Sequence, residues 1–415
     1  MILKFPGGAA PEQKSKYTGK RIEEINDCTA VCLKIPESAA VRCDLRENES
    51  VCRGSFIALV DGTPVYSPVS GLFQGRITMN DGDYFVVVSD RQLRTQSIFA
   101  PETRDLRSLS FDDIQKSVRQ SGITDSRSGR PLWKLMEALR GGCRRVVADC
   151  TESDAVCGIA ARICIEKCVS VIGGVKILLR AMSAERGVLA FEAGRARVLE
   201  AFEKQLGDDS PVVCARLKEK YPYNDRALMN AIYLTGLGRN ETAADKGVLV
   251  VSAECAAAVY DCMASGMPML DRYIGFYGEG TERGANLKVP NGMTVHDITE
   301  YLGGRTRKMP LTENSLLNGA PAGGAVTPGT RAFIAQEKQK RRRTPCIGCG
   351  ACASACPVKL IPAEALGGVT REMAQSCIGC GACEYVCPSG IPLASIIKKH
   401  RVKAEEIYEK GGEEQ

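Results

Sequence analysis

Eight cysteines fall into two runs of the same spacing, Cys346-x2-Cys349-x2-Cys352-x3-Cys356-Pro357 and Cys377-x2-Cys380-x2-Cys383-x3-Cys387-Pro388. Thiolates so spaced hold pairs of cubane iron–sulfur clusters. Three of them on a tight loop can point into one concavity and take three irons of a cube. The fourth, set one residue further on, is directed away and belongs to the other cluster. This assigns Cys346, Cys349, Cys352 and Cys387 to cluster one, and Cys377, Cys380, Cys383 and Cys356 to cluster two. The residues between ligands are small (Gly348, Gly350, Ala351, Ala353; Gly379, Gly381, Ala382), which lets backbone N–H groups approach the sulfides and stabilise the more negative, reduced state. Pro357 and Pro388 then turn the chain. Zinc and disulfides are the competing readings. Thiolate pairs suit tetrahedral zinc, but zinc rarely needs three cysteines in x2 steps followed by x3-Cys-Pro, twice over.

The chain has 415 residues, 44% hydrophobic and 25% charged, the profile of a soluble protein of several domains. Of its twenty cysteines, twelve lie outside the two runs, and such abundance suits a reducing compartment. Cys150, Cys157, Cys164 and Cys168 have a helical rhythm, but their gaps match no common ligand set and read as packing thiols. Only two histidines occur, His296 and His400, both read as structural or solvent-facing, which argues against histidine metal sites. The start, Met1-Ile2-Leu3-Lys4-Phe5-Pro6, has no apolar core of a signal peptide, and the longest apolar stretch, around Val169 to Leu179, is too short to span a bilayer. The expectation is a cytoplasmic protein, peripheral on the membrane at most. The net charge of +6 is spread out except at Lys338, Lys340, Arg341, Arg342 and Arg343. That run reads as a solvated linker face, or as a docking patch for an acidic redox partner or an anionic membrane; with few aromatics near it, nucleic acid is not expected.

Positioning elements follow from the pattern. Short β-type runs separated by turns (31–35, 55–60 and 84–88) predict a small β-sandwich or barrel, and Val51–Ala58 with Tyr66–Gly71 suggests the paired turns of a lipoyl-like, barrel-sandwich fold. From about Ser110 the pattern alternates: strand 145–148, helix 155–181 interrupted at Gly173-Gly174, strand 188–191 and helix 195–206. This is α/β character. Strand 248–251 and helix 253–265 then lead into segments around 272–278 and 292–298 that suggest a β-grasp insert. The Gly-, Ala- and Pro-rich stretch from Leu317 reads as a linker.

In this order the chain resembles the RnfC family, the C component of the Rnf electron-transport complex, which is similar to the NADH-oxidising flavoprotein subunit of complex I. The carriers are Phe5-Pro6-Gly7-Gly8, Ser67-Pro68-Val69-Ser70-Gly71, Lys220-Tyr221-Pro222, Gly266-Met267-Pro268 with Arg272, Asn286 with Val289-Pro290-Asn291-Gly292, and the cysteine runs. The resemblance implies an α/β and α+β multidomain chain: a barrel-sandwich domain at 1–105, a complex-I-flavoprotein-like α/β core at 106–245, a β-grasp SLBB-like domain at 246–316, a linker at 317–343 and a dicluster ferredoxin domain at 344–415. It also implies NADH passing electrons through flavin mononucleotide (FMN) to two [4Fe-4S] clusters and on to membrane-bound partners. The family's glycine-rich flavin loop corresponds to Gly122–Pro131, where Asp125, Arg127 and Ser128 stand in place of a flat backbone face. Its acidic segment corresponds to Glu152-Ser153-Asp154-Ala155, which equally suits helix capping. The expected function is therefore a relay of single electrons through two [4Fe-4S] clusters, between a low-potential donor and a partner reductase or Rnf-like complex. The alternatives are an NADH-oxidising flavin enzyme and a dedicated electron donor to an anaerobic amino-acid reductase or cobalamin-reducing system.

Overall fold

The computed structural model describes residues 1–10, 15–90, 92–93, 108–233, 237, 241–304, 309–337 and 342–400. Near the N-terminus lie strands β1 (Ile22–Glu24), β2 (Ala30–Ile35), β3 (Val41–Arg42), β4 (Glu49–Val51), β5 (Phe56–Val60), β6 (Thr63–Tyr66), β7 (Gly71–Met79) and β8 (Gly82–Ser89). Alternation decides their faces. In β2, Val31, Leu33 and Ile35 point inward, and Phe73, Phe85 and Val87 meet them from β7 and β8. Two antiparallel sheets result, β2-β8-β7-β4 and β3-β5-β6.

Helices α1 (Phe111–Gln120) and α2 (Leu132–Glu137) lead into strand β9 (Arg145–Asp149), helices α3 (Ile159–Glu166) and α4 (Cys168–Met182), strand β10 (Arg186–Glu192) and helix α5 (Ala196–Glu203). Strand β11 (Val212–Leu217), helix α6 (Asp225–Tyr233), strand β12 (Val248–Ser252) and helix α7 (Ala253–Ser265) complete the layer. The sheet order is β11-β10-β9-β12, all parallel. Its strands are almost wholly apolar because helices cover both faces. Ser110 caps α1 in a reciprocal capping box with Asp113, and Ser252 caps α7 by accepting from Cys255 N–H.

A fourth sheet, β1-β14-β13-β16-β15, uses β13 (Asp271–Tyr277), β14 (Ala285–Pro290), β15 (Leu311–Glu313) and β16 (Ala332–Ala335), with helix α8 (Val295–Tyr301) between β14 and β15. Beyond it, short helices α9 (Ala351–Ser354) and α11 (Ala382–Tyr385) each carry one cysteine of a run, and α10 (Arg371–Ser376) leads into the second run.

Several expectations need correction. The helical segment breaks at Lys167, and Gly173-Gly174 lies inside α4. Those glycines serve packing: a Cβ on Gly174 would sit 1.7 Å from the Ala256 carbonyl oxygen, and one on Gly173 would sit 2.2 Å from the Tyr260 ring, so only glycine lets α4 and α7 approach this closely. The stretch expected as a linker, 317–343, contains β16, an interior strand whose four residues are all buried. The expected division at 245/246 cuts through the parallel sheet, since β12 pairs with β9. Residues 1–10 and 15–25, expected within the first domain, pair elsewhere: Leu3 bridges Leu217, Ala9 bridges Tyr221, and β1 runs parallel to β14. Strand β11 has no counterpart among the expected strands.

Candidate functional site

Each cysteine run folds as a loop ending in a one-turn helix, α9 or α11, that carries the third cysteine. The shared Cys-Ile-Gly-Cys-Gly-Ala-Cys requires its glycines: Gly348 and Gly379, and Gly350 and Gly381, all have φ between +66° and +79°. The cysteines separate crosswise. One cavity is lined by Cys346, Cys349, Cys352 and Cys387. A second is lined by Cys356, Cys377, Cys380 and Cys383. Backbone donors already reach the sulfurs, with Gly379 N–H on Cys377 Sγ at 3.4 Å and Leu360 N–H on Cys356 Sγ at 3.3 Å. Burial pushes the Cys380 thiol up to about 11. Coordination by a metal reverses this, because a ligating thiol is deprotonated outright. Among the described residues no three His, Cys, Asp or Glu side chains converge on a single metal-ion position.

The two cavities differ in surroundings. The second lies against the body of the protein: Gly8 N–H donates to Ala355 O at 2.9 Å, and Tyr221 Oη donates to Cys380 O at 2.8 Å. A Cβ on Gly7 would be 2.5 Å from Cys356 O, so only glycine lets the N-terminal arm come this close to the loop. The first cavity faces outward, with Cys346 and Cys349 exposed.

Tyr221 also lines a third cavity, together with Glu152, Asp154, Glu192, Arg195, Glu219 and Lys220. Strand ends position the acids. Glu152 follows β9 and accepts from Ala160 and Ala161 N–H at the start of α3, which is the capping role. Asp154 accepts from Ser315 Oγ at 2.9 Å and Leu316 N–H at 2.8 Å, pinning the segment after β15. Glu192 ends β10; its Oε1 accepts from Glu152 N–H at 3.0 Å, and its buried Oε2 has no hydrogen-bond partner. Burial raises all three carboxyls, Glu192 to about 7, with Arg195 at 3.8 Å opposing the shift.

Across the carboxyl ends of the same sheet, where open α/β sheets take ligands, lies the loop Gly122–Pro131. Arg127 is half-buried in it, donating to Asp149 at 2.6 Å and to Asp225 at 2.7 Å. Asp125 accepts from Ser128 Oγ at 3.0 Å and Ser252 N–H at 2.7 Å. Arg272 ties the loop down through Thr124 Oγ1 at 2.9 Å and pairs with Glu254 at 3.3 Å.

Known proteins share both parts of this arrangement. A family described as the Nuo51 FMN-binding domain matches residues 118–261, and the 4Fe-4S dicluster domain matches residues 345–391. The C component of the Na(+)-translocating ferredoxin:NAD(+) oxidoreductase complex of Acetobacterium woodii is 27% identical over 46% of this chain and 45% of its own length. The C component of the proton-translocating ferredoxin:NAD(+) oxidoreductase complex of Clostridium ljungdahlii is 22% identical over 87% of this chain and 83% of its own. The chain is similar to the C components of Rnf-type complexes. Against the C component of the ion-translocating oxidoreductase complex of Pseudomonas aeruginosa, 25% identity extends over 86% of this chain, which spans about half (49%) of that relative, as it does of the A. woodii protein.

The family match brings flavin mononucleotide into question at 118–261, and the residues present do not fit it. A flat ring needs a bare backbone face. Here the Arg127 side chain occupies the loop, and the carboxylates of Asp149 and Asp225 that hold it oppose a phosphate. The four thiols of each cysteine set, by contrast, fit the cubane clusters of the dicluster domain. Sequence reasoning brought the eight cysteines and the Glu152 segment into view but missed Glu192 and the reach of Tyr221. An acid directly after Val188-Leu189-Ala190-Phe191 was the available signal, because it marks the carboxyl end of a buried parallel strand. Both histidines are exposed.

Proposed function

We propose that this chain is an iron–sulfur relay, carrying single electrons between a low-potential donor and a partner reductase or Rnf-like complex. Cluster one is held by Cys346, Cys349, Cys352 and Cys387, and cluster two by Cys377, Cys380, Cys383 and Cys356. The observation that carries this reading is the crosswise lining of two separate cavities by four thiols each, with a cysteine of one run completing the set of the other. When bound, such clusters supply reversible one-electron storage. The chain's own residues do the rest. Thiolates ligate, N–H groups such as those of Gly379 and Leu360 favour the more negative state, and burial of the second set tunes its potential. No general acid or base is needed.

The N-terminal barrel-sandwich and SLBB-like β-grasp assignments support a scaffold role, in which the arm at residues 5–9 and Tyr221 seat the cluster domain on the α/β layer. Among the described residues no helix is long and apolar enough to cross a membrane, so attachment to a membrane complex would run through partner proteins. Anaerobically prepared protein is expected to hold about eight irons and eight sulfides and to show two reducible cluster signals by electron paramagnetic resonance. Zinc in their place, or clusters that dithionite cannot reduce, would refute the relay. A flavin absorbance band bleached by NADH would instead establish the flavoenzyme reading.

A further inference from the structure

Tyr221 joins the body of the protein to both cysteine runs at the second cavity. Its N–H donates to Ala9 O and Ala9 N–H donates to its carbonyl, each at 2.8 Å, while the neighbouring Gly8 N–H donates to Ala355 O, one residue ahead of Cys356. Lys220 Nζ holds the same arm through Gly7 O at 2.8 Å. The Tyr221 ring is 9% exposed and packs among Ala9, Ala355, Cys380 and Ala382. With the backbone paired on both sides and the ring enclosed, the phenolic oxygen is held 2.8 Å from the carbonyl oxygen of Cys380, a member of the second cysteine set. A phenol carries one proton, and this carbonyl has rivals for it. Asn318 Oδ1 lies at 2.9 Å and competes as an acceptor; Ser315 Oγ lies farther, at 3.4 Å, and already accepts from Leu317 N–H. Asn318 is exposed, so water can satisfy its amide, whereas the contact with Cys380 is buried and a carbonyl left there without a donor keeps its desolvation cost. The phenolic proton therefore goes chiefly to Cys380.

We infer that Tyr221 is a positioning residue for cluster two, whose hydrogen bond to the Cys380 carbonyl raises the potential at which the cluster of Cys356, Cys377, Cys380 and Cys383 accepts an electron. This deepens the relay reading and rests on it. Cluster potentials follow net charge, hydrogen bonding around the ligands and solvent exposure. The added electron makes the cluster more negative, so a proton pointed at a ligand residue favours the reduced form, and the low dielectric of a buried contact strengthens that preference. Tyr221 acts through Cys380 and does not itself change oxidation state. One electron enters or leaves the cluster, the phenol keeps its proton, and no bond forms or breaks. Two runs of the same spacing thereby hold centres of different potential.

The experiment uses the full cluster-loaded chain, titrated anaerobically against potential and read by paramagnetic resonance; the signal lost in Cys383→Ser identifies cluster two. Tyr221→Phe keeps the ring and removes the proton. It is expected to retain about eight irons and to lower the reduction equilibrium constant of cluster two about five- to tenfold, tenfold being about 59 mV for a one-electron couple, with cluster one unmoved. Asn318→Ala, at an exposed position, removes the competing acceptor and frees the proton for Cys380, so it shifts cluster two the opposite way, by about twofold. A residue that only braces the fold gives no such opposition of sign. Potentials unmoved in both variants, shifts in the same direction, or equal displacement of both clusters would overturn the inference. Where Tyr221→Phe loses iron from cluster two, the direction seen in Asn318→Ala decides alone. Wild-type clusters that dithionite cannot reduce mark failure of the relay itself, and are seen before any variant is compared.

Discussion

Changing Glu192 to Gln tests the electrostatics of the cavity beside Tyr221. Glu192 is 5% exposed, one carboxylate oxygen has no hydrogen-bond partner, and burial raises its carboxyl from the usual 4.5 to about 7. Because the folded value lies above the unfolded one, the folded protein holds this proton more tightly. The stability so contributed is complete below about 4.5 and is lost as pH rises through about 7. At about 1.4 kcal/mol per pH unit, that window corresponds to about 3 kcal/mol. Glutamine keeps the shape and cannot ionise. The stability of Glu192→Gln relative to wild type should therefore rise by about 3 kcal/mol between acid and mildly alkaline pH, and an unsatisfied amide would lower the variant by about 1 kcal/mol at every pH without changing that rise. The assay is anaerobic denaturant unfolding of the cluster-loaded protein at several pH values, with infrared titration of protonated carboxyls as a direct check. A difference between variant and wild type that stays flat from about pH 4.5 to about 8, or an infrared titration the variant leaves intact, would refute the reasoning.

Arg127→Ala removes a guanidinium that pairs with the fully buried Asp149 side chain; leaving that carboxylate without its charge partner should cost about 3–5 kcal/mol, read as a lower denaturation midpoint. Gly174→Ala should destabilise by at least about 1–3 kcal/mol, because its Cβ meets the backbone of α7 and flexible side chains cannot absorb the clash; a midpoint equal to wild type would contradict the packing described. Cys387→Ser should damage the cluster whose other ligands are Cys346, Cys349 and Cys352, although Cys387 sits in the opposite run, and Cys356→Ser should do the converse. Iron falls from about eight to about four or five per chain in either case. Paramagnetic spectra tell which signal is lost, and damage confined to each cysteine's own run would exclude the crosswise sets.

The cluster cysteines and their small neighbours were legible because the chemistry is local. Ligands three residues apart, with glycines whose φ must be positive, leave a mark that needs no tertiary context. Long apolar strands such as 188–191 and 248–251, and the helix 253–265, were legible for the same reason, their periodicity being set by burial on either side. What depends on partners distant in sequence was not. Gly173-Gly174 resembled a helix break, yet its reason is the backbone of α7, far along the chain. The stretch after Leu317 resembled a linker, because a short strand such as Ala332–Ala335 is recognisable only by the sheet that accepts it.

The resemblance located the flavin loop and the acidic segment, but only the folded chain decided what they do. Arg127 was expected to obstruct, and tertiary structure supplied the carboxylates of Asp149 and Asp225, from two different elements, that hold it in place. Glu152 turned out to cap a helix. The inequality of the two cysteine sets was also invisible in one dimension, where the runs are nearly identical. Sequence alone determined which atoms could bind iron, since ligand type and spacing are properties of a short segment. Which set faces solvent was decided by where Gly7, Gly8 and Tyr221 pack, because burial is a property of everything the rest of the chain brings alongside.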